Sequence, residues 1–134
     1  MTRAYSIKGE DVDAERARVN QDLDQVDISR VIDMDELELR SMGPQDIRLK
    51  ILAVSAEHNV DHAALADTVH ISELRGGKIY PGNSALGEVV EAGAEVSHVA
   101  TGDIVITHCN GQPDRFGFPK TIWAYDTPDS VGWY

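Results

Sequence analysis

Apolar and polar residues alternate in short runs along most of this chain, and glycine and proline separate the runs. Period-two alternation over four to eight residues is the mark of a half-buried strand. Glu36-Leu37-Glu38-Leu39-Arg40 alternates as an exposed strand does, and Met42-Gly43-Pro44-Gln45-Asp46 then reads as a turn from its Gly-Pro pair. Ile47 to Ser55 alternates again, with Ile47, Leu49, Ile51 and Ala53 on one face. Leu52 and Val54 make its other face apolar towards the end, which predicts a strand running into the interior. His58 to Asp67 has the spacing of one or two helical turns. Residues 68–82 read as a loop broken at Gly76-Gly77 and Pro81-Gly82. Ala85 to Glu91 predicts a strand that ends at Gly93, and Asp103 to His108 another, launched by Gly102. Residues 110–120, with Gly111, Pro113 and Gly117, read as a loop.

Residues 1–33 have a different texture, rich in charge and poor in large apolar side chains. Val12, Val19, Leu23 and Val26 fall near one face of a helix over Asp11 to Val26, but the apolar stripe is thin. This division predicts a charged N-terminal arm over 1–33, helical in part, and one folded domain over 34–134. Short strands between Gly/Pro turns make that domain mostly β, a small barrel or sandwich.

Composition narrows the function classes. The 134 residues suffice for one core, and 42% hydrophobic content is that of a globular chain. A formal net charge of −11 repels phosphate backbones and anionic lipid surfaces, so neither nucleic acid nor a membrane is expected as a partner. No apolar run approaches the roughly 18 residues of a membrane span. Residues 1–13 contain no apolar core of a secretory signal. The lone cysteine, Cys109, excludes an intrachain disulfide and a cysteine-rich zinc site, and a reducing cytoplasm is the expected location.

The glycines fall in a pattern. Gly82-Asn83-Ser84-Ala85-Leu86-Gly87-Glu88-Val89-Val90-Glu91-Ala92-Gly93, then Val96 and Gly102-Asp103-Ile104-Val105, resembles the G-H-E-x-x-G-x-V-x-x-x-G … V … G-D-x-V framework of medium-chain dehydrogenases/reductases. Gly43-Pro44-Gln45-Asp46-Ile47-Arg48-Leu49-Lys50-Ile51 is similar to the G-P-G-E-V-x-V-x-V strand of the same superfamily. Within it, His108-Cys109-Asn110 followed by Ile122-Trp123-Ala124-Tyr125-Asp126-Thr127 resembles the crotonyl-CoA carboxylase/reductase group, which carries H-C-N and then R-I-W-G-Y-E-T. The resemblance spans about residues 34–130. It implies a GroES-like, partly open and incomplete β-barrel with short helices. It also implies hydride transfer from NADPH to the β-carbon of an enoyl-CoA, leaving an enolate that can capture carbon dioxide.

Three departures qualify what is inherited. Zinc-dependent members place a cysteine and a His-Glu pair where this chain has Glu57, Asn83 and Ser84, so the resemblance implies a zinc-independent site and no metal. The carbon-dioxide loop of the carboxylase/reductases reads V-N-Y-N-N-V-W, against Ala56-Glu57-His58-Asn59-Val60-Asp61-His62 here. Asn59 alone keeps an asparagine. No G-x-G-x-x-G fingerprint follows a strand, Gly76-Gly77 lacking its spacing. NADPH is therefore expected to bind only if a partner supplies a Rossmann domain.

The reactive residues concentrate in Glu57-His58-Asn59-Val60-Asp61-His62. His58 and His62 share a face if the segment is helical. A His–Asp pair makes an oriented general base, with Glu57 or the second histidine as acid. The expected catalytic set is thus His58, Asp61, His62 and Glu57, and the expected substrate-binding set is Asn59, Asn83, His108 and Tyr125. The plain alternative is a solvent-facing polar helix start, and a metal set of His58, Asp61, His62 and His70 is a further one. His108 and Cys109, adjacent on a strand, point to opposite sides, so Cys109 reads as a buried structural thiol rather than an activated nucleophile. Trp123, Tyr125 and Trp133 read as core and interface residues, with the Tyr125 hydroxyl also able to enter the cleft. Glu88 reads as a solvent-facing strand residue.

Three functions remain open. The first is the substrate-binding and catalytic domain of an enoyl-thioester reductase-type protein, an oxidoreductase acting in biosynthesis. The second is a cofactor-independent acid/base enzyme, a cyclase, isomerase or lyase of acyl or polyketide-type compounds. The third is a non-catalytic binding relic. A small acyl or thioester substrate is expected, and open strand edges predict a homodimer or a complex with a second chain.

Overall fold

The computed structural model describes residues 1–55, 58–66, 68–73, 77–82, 84–107 and 110–122, with the backbone alone described for 58–61, 110–113 and 119–122. In chain order these residues form β1 (Thr2–Lys8), α1 (Gly9–Arg18), β2 (Ile32–Leu37), β3 (Ile47–Val54), α2 (His58–Leu65), β4 (Lys78–Ile79), β5 (Ala85–Ala92), β6 (Ile104–Ile106), β7 (Asn110–Pro113) and β8 (Pro119–Ile122). Single 3₁₀ turns occupy Leu23–Gln25, Ile28–Arg30 and Ile71–Glu73. The strands make three antiparallel sheets, ordered β2-β1-β4, β3-β5-β6 and β7-β8. The architecture is mostly β with short helices, and no closed barrel forms among the described residues.

The central strand of the first sheet lies in the segment expected to be an arm. β1 pairs with β2 from Thr2↔Leu37 to Ile7↔Ile32, and with β4 at Ile7↔Ile79 and Lys8↔Lys78. Ile7, Val12 and Val31 join Ala64, Ile71 and Ile79 in the main core cluster, with Ile32, Leu65 and Val69 packed against it. The charged segment over residues 1–33 thus contributes three side chains to the core. The loops expected over 68–82 and 110–120 are corrected, since they carry β4 and the β7-β8 hairpin.

The first helix is shorter than the Asp11 to Val26 stripe predicts. It ends at Arg18, and Asn20 and Gln21 then take φ of 52° and 66°. Two successive left-handed residues cannot continue a right-handed helix. The acidic residues beyond serve the turns: Asp22 accepts from the Asp24 N–H, and Asp27 from the Ser29 N–H. Part of the charge that marks this region in the sequence is therefore capping.

Glu15 ties the segment together. Its buried carboxylate accepts from Arg18 Nε at 2.7 Å and Nη2 at 2.5 Å, and from the Asp27 backbone N–H at 2.8 Å. The Arg18 hydrogen bonds and then the Asp27 N–H hold its pKa down to about 2, against an ordinary 4.5. A depressed carboxyl stabilises the fold above its unfolded pKa, and that contribution drains away as pH falls through the folded one. The melting temperature of the wild-type chain should drop between pH 4.5 and about 2 more steeply than that of Glu15→Gln. Parallel curves for the two proteins would contradict this anchoring role.

The glycine framework has visible causes. A methyl group at Gly93 would come within 2.6 Å of the Pro44 carbonyl carbon. The Gly93 N–H donates to the Asp46 carbonyl, and the Glu95 N–H to the Pro44 carbonyl. Gly102 takes φ of +97°, which glycine adopts without penalty. Asp103 ties its loop as its position suggests, accepting from the Ala100 N–H at 2.8 Å.

Candidate functional site

Three segments carry the expected site residues other than Tyr125, and the fold brings the described residues next to them to one end of the β3-β5-β6 sheet. β3 delivers the chain to Ser55, whose N–H donates to the Ser84 carbonyl at 3.2 Å. The Thr107 N–H donates to the Ala85 carbonyl at 2.8 Å, and the Ala85 N–H returns a bond to Thr107 Oγ1 at 2.8 Å. Ser55 leads into α2, Ser84 follows Asn83, and Thr107 precedes His108. The immediate chain neighbours of the 57–62, 83–84 and 108–110 candidates are thus joined by backbone hydrogen bonds.

Helix α2 covers His58–Leu65, inside the 58–67 span expected for it. Positions 58, 61 and 62 lie three and four apart, on one helical stripe. Ala64, fully buried in the main core, and half-buried Leu65 anchor the helix, while His62 stays exposed. Thr68 closes the far end, with both its N–H and its hydroxyl donating to the Ala63 carbonyl at 3.1 Å. For His58, Asn59 and Asp61 the description extends to the backbone. Glu57, Asn83, His108, Cys109 and Tyr125 lie outside the described residues, as do Trp123 and Trp133. Glu88, expected to face solvent, is half-buried. Among the described residues, no three His, Cys, Asp or Glu side chains gather as metal ligands would.

A polar cluster that the sequence reading missed lies just upstream of Asn83. Lys78 Nζ donates to Asp35 Oδ2 at 2.7 Å, and the Tyr80 hydroxyl donates to the same oxygen at 3.0 Å. Lys78 Nζ also lies 6.0 Å from the centre of the Tyr80 ring. The Lys78 hydrogen bond is the largest influence holding the Asp35 carboxyl below its usual range. The Tyr80 hydrogen bond adds to it, and the neighbouring Ser6 hydroxyl contributes least. Ser6 is itself fully buried, and among the described residues its Oγ makes no hydrogen bond of ordinary geometry. The cluster fixes the strand that leads into Pro81 and Gly82, both buried. The signal was available in Lys78-Ile79-Tyr80, alternating just before Pro81-Gly82, but residue 35 is far away in sequence.

Comparison with known proteins settles what this framework is. No family model matches the chain. Among curated proteins, cinnamyl alcohol dehydrogenase 5 of Arabidopsis thaliana is 32% identical over 98 residues, covering 66% of this chain and 26% of its own length. Cinnamyl alcohol dehydrogenase 1 of Ocimum basilicum is 29% identical over 111 residues, covering 75% and 30%. A probable cinnamyl alcohol dehydrogenase of Saccharum officinarum is 37% identical over 99 residues, covering 66% and 26%. Among solved structures, a crotonyl-CoA carboxylase/reductase superposes over 96% of this chain and 30% of its own, with a TM-score of 0.68 and 23% identity.

The chain belongs to the medium-chain dehydrogenase/reductase superfamily and carries a partial GroES-like fold.

A 2-octenoyl-CoA carboxylase reductase from Streptomyces shares the fold of this GroES-like domain, with a TM-score of 0.67, 19% identity, and 93% of this chain and 34% of that one covered. The same enzyme, solved in complex with NADP and 2-octenoyl-CoA, gives a TM-score of 0.66. The chain spans under a third of the length of the curated relatives it matches. The mostly β, partly open architecture read from the sequence is the one observed. No helix among the described residues is long and apolar enough to cross a membrane.

Proposed function

We propose that this GroES-like domain forms the substrate side of an enoyl-thioester reductase-type active site, with the nicotinamide held by residues outside this sequence. The observation that carries the reading is the convergence of Ser55, Ser84, Ala85 and Thr107 at one sheet end. It supports the reading that the segments at 57–62, 83–84 and 108–110 serve one site. The fold likeness to two acyl-CoA carboxylase/reductases supports it, and the cinnamyl alcohol dehydrogenase relatives support the broader oxidoreductase assignment.

Two groups that the superfamily implies do not fit the residues present. Glu57, Asn83 and Ser84 offer neither thiolate nor imidazole to a zinc ion. The Gly76-Gly77 pair lacks the G-x-G-x-x-G spacing of a pyrophosphate-binding turn. The chemistry left to this chain is substrate binding and proton handling. His58, Asp61 and His62, on one stripe of α2, are the proposed acid/base groups, with Glu57 beside them. Asn59, Asn83, His108 and Tyr125 are the proposed contacts to the acyl chain and thioester. That single stripe also favours a second reading, an acid/base enzyme of acyl compounds that needs no nicotinamide.

Calorimetric titration separates the readings. The substrate-side domain should bind 2-octenoyl-CoA and take up no NADPH without added protein. Binding of NADPH alone, or no heat with 2-octenoyl-CoA, would overturn the proposal. Turnover of an enoyl-CoA without nicotinamide, abolished in His58→Ala and Asp61→Ala, would establish the second reading instead.

A further inference from the structure

Ala85 and Thr107 stand opposite one another in the register that pairs Leu86 with Ile106 and Gly87 with Val105. Opposite residues of a hydrogen-bonded pair in an antiparallel ladder exchange two bonds, each N–H donating to the other's carbonyl. Here one of the two is made: the Thr107 N–H donates to the Ala85 carbonyl at 2.8 Å. The other is replaced. The Ala85 N–H donates at 2.8 Å to Thr107 Oγ1 instead of to the Thr107 carbonyl. Ala85 is buried, so its N–H cannot turn to water and needs that acceptor. A side chain takes the place of its own carbonyl only when the carbonyl has turned away, and a carbonyl turned away does not continue the ladder. β6 accordingly ends at Ile106, and by Asn110 the chain is in β7, a strand of a different sheet. The other end of the same strand pair uses the backbone. There the Val89 N–H donates to the Asp103 carbonyl, but the Val89 carbonyl accepts from the Gly102 N–H, and Gly102 takes φ of +97°. A glycine shifts the ladder at one end, and a hydroxyl ends it at the other.

We infer that Thr107 is a positioning residue: its hydroxyl, standing in for its carbonyl, frees the chain from β5 and sets the direction in which His108, Cys109 and Asn110 leave the sheet. Neither the glycine framework nor the His-Cys-Asn string includes this residue. The requirement is chemical. Threonine and serine carry a hydroxyl on the β-carbon that can accept from the Ala85 N–H. Valine has the shape of threonine without the acceptor, so the Ala85 N–H would recruit the main-chain carbonyl of residue 107 and the ladder would run on. His108 is a proposed substrate contact, so the consequence for binding rests on the substrate-side reading above. The consequence for the path of the chain does not.

The full chain is compared with Thr107→Val, Thr107→Ser and Thr107→Ala, each checked for an unchanged far-ultraviolet spectrum. Cys109 is the only cysteine in the sequence, so its rate with an aromatic disulfide reagent reports the placement of 108–110. Thr107→Val should change that rate about fivefold or more, and Thr107→Ser should stay within about twofold of wild type. Calorimetric titration with 2-octenoyl-CoA should show about tenfold weaker binding for Thr107→Val, the loss of one hydrogen bond to substrate, and wild-type affinity for Thr107→Ser. Thr107→Ala should match Thr107→Val, and it carries the test if the valine chain does not fold. A packing role predicts the reverse order, because serine loses the methyl group that valine keeps. Equal thiol rates in all four proteins, or a serine variant that follows valine, would sink the assignment. So would thiol rates that split while affinities do not. A wild-type chain that binds no 2-octenoyl-CoA overturns the substrate reading, and the thiol rates then decide whether Thr107 directs the chain.

Discussion

Replacing Ile79 with alanine is expected to cost about 3 kcal/mol of stability, within the range for deleting a buried isoleucine side chain. Ile79 is fully buried in the main core cluster, in a strand of two residues paired with β1. The other members of that cluster come from five different parts of the chain: Ile7, Val12, Val31, Ala64 and Ile71. A cavity there cannot be closed by the movement of one element, so most of the loss should persist. For a domain of this size the loss corresponds to a fall of roughly 10 °C in melting temperature. Urea unfolding followed by circular dichroism measures it. A change under about 1 kcal/mol would mean that the site collapses around the smaller side chain.

Gly93→Val is the second large effect, and it acts through the backbone. The first carbon of any side chain at 93 would lie within 2.6 Å of the Pro44 carbonyl carbon, and Pro44 cannot move aside independently. Pro44 and its neighbours are held by the Gly93 N–H to Asp46, the Glu95 N–H to Pro44, and the Asp46 carboxylate, which accepts from the Gly43 N–H at 2.7 Å. Arg40 pairs with the same carboxylate at 2.6 Å. The substitution must therefore break several hydrogen bonds or push the β3 and β5 ends apart. Overpacking of this kind costs about 1–3 kcal/mol and occasionally more, and the upper end is expected here. Gly87→Ala is a useful contrast: its added carbon would lie 3.2 Å from Leu49 Cβ, which calls for a shift of only a few tenths of an ångström. It should cost visibly less in the same urea experiment.

These two positions show what the sequence made legible. Gly93 sits in a spaced glycine framework, and β3 and β5 beside it alternate over eight residues each, long enough for a period to register. Ile79 lies in a strand of two residues, shorter than any periodic window, and its segment reads as a loop. β1 hid for a different reason. Thr-Arg-Ala-Tyr-Ser-Ile-Lys carries one large aliphatic residue, and the strand fills its sheet with small buried side chains, Ala4 and Ser6. β7 and β8 carry glycine and prolines that signal turns, and their pairing depends on Asp114, which accepts from the Phe116 and Phe118 N–H groups to close the hairpin.

The candidate site divides along the same line. The helix α2 was legible from its spacing, and it does place 58, 61 and 62 on one stripe. The cluster of Asp35, Lys78 and Tyr80 was not, because β1 stands between its two halves in the sheet order and nothing local couples residue 35 to residue 78. Positions joined across a sheet become neighbours only once the register is known.

The central claim, that the sheet end joining Ser55, Ser84 and Thr107 is an acyl-thioester site, is tested most directly by locating a bound ligand. Amide chemical shifts of the isotopically labelled chain, followed as 2-octenoyl-CoA is added, report that location residue by residue. The account predicts saturable shifts concentrated at Ser55, His58 to His62, Ser84, Ala85 and Thr107, with Glu15 and the Leu23–Arg30 turns unmoved. Shifts confined to the opposite end of the sheet, around Asp46, Gly93 and Glu95, or none at all, would contradict it.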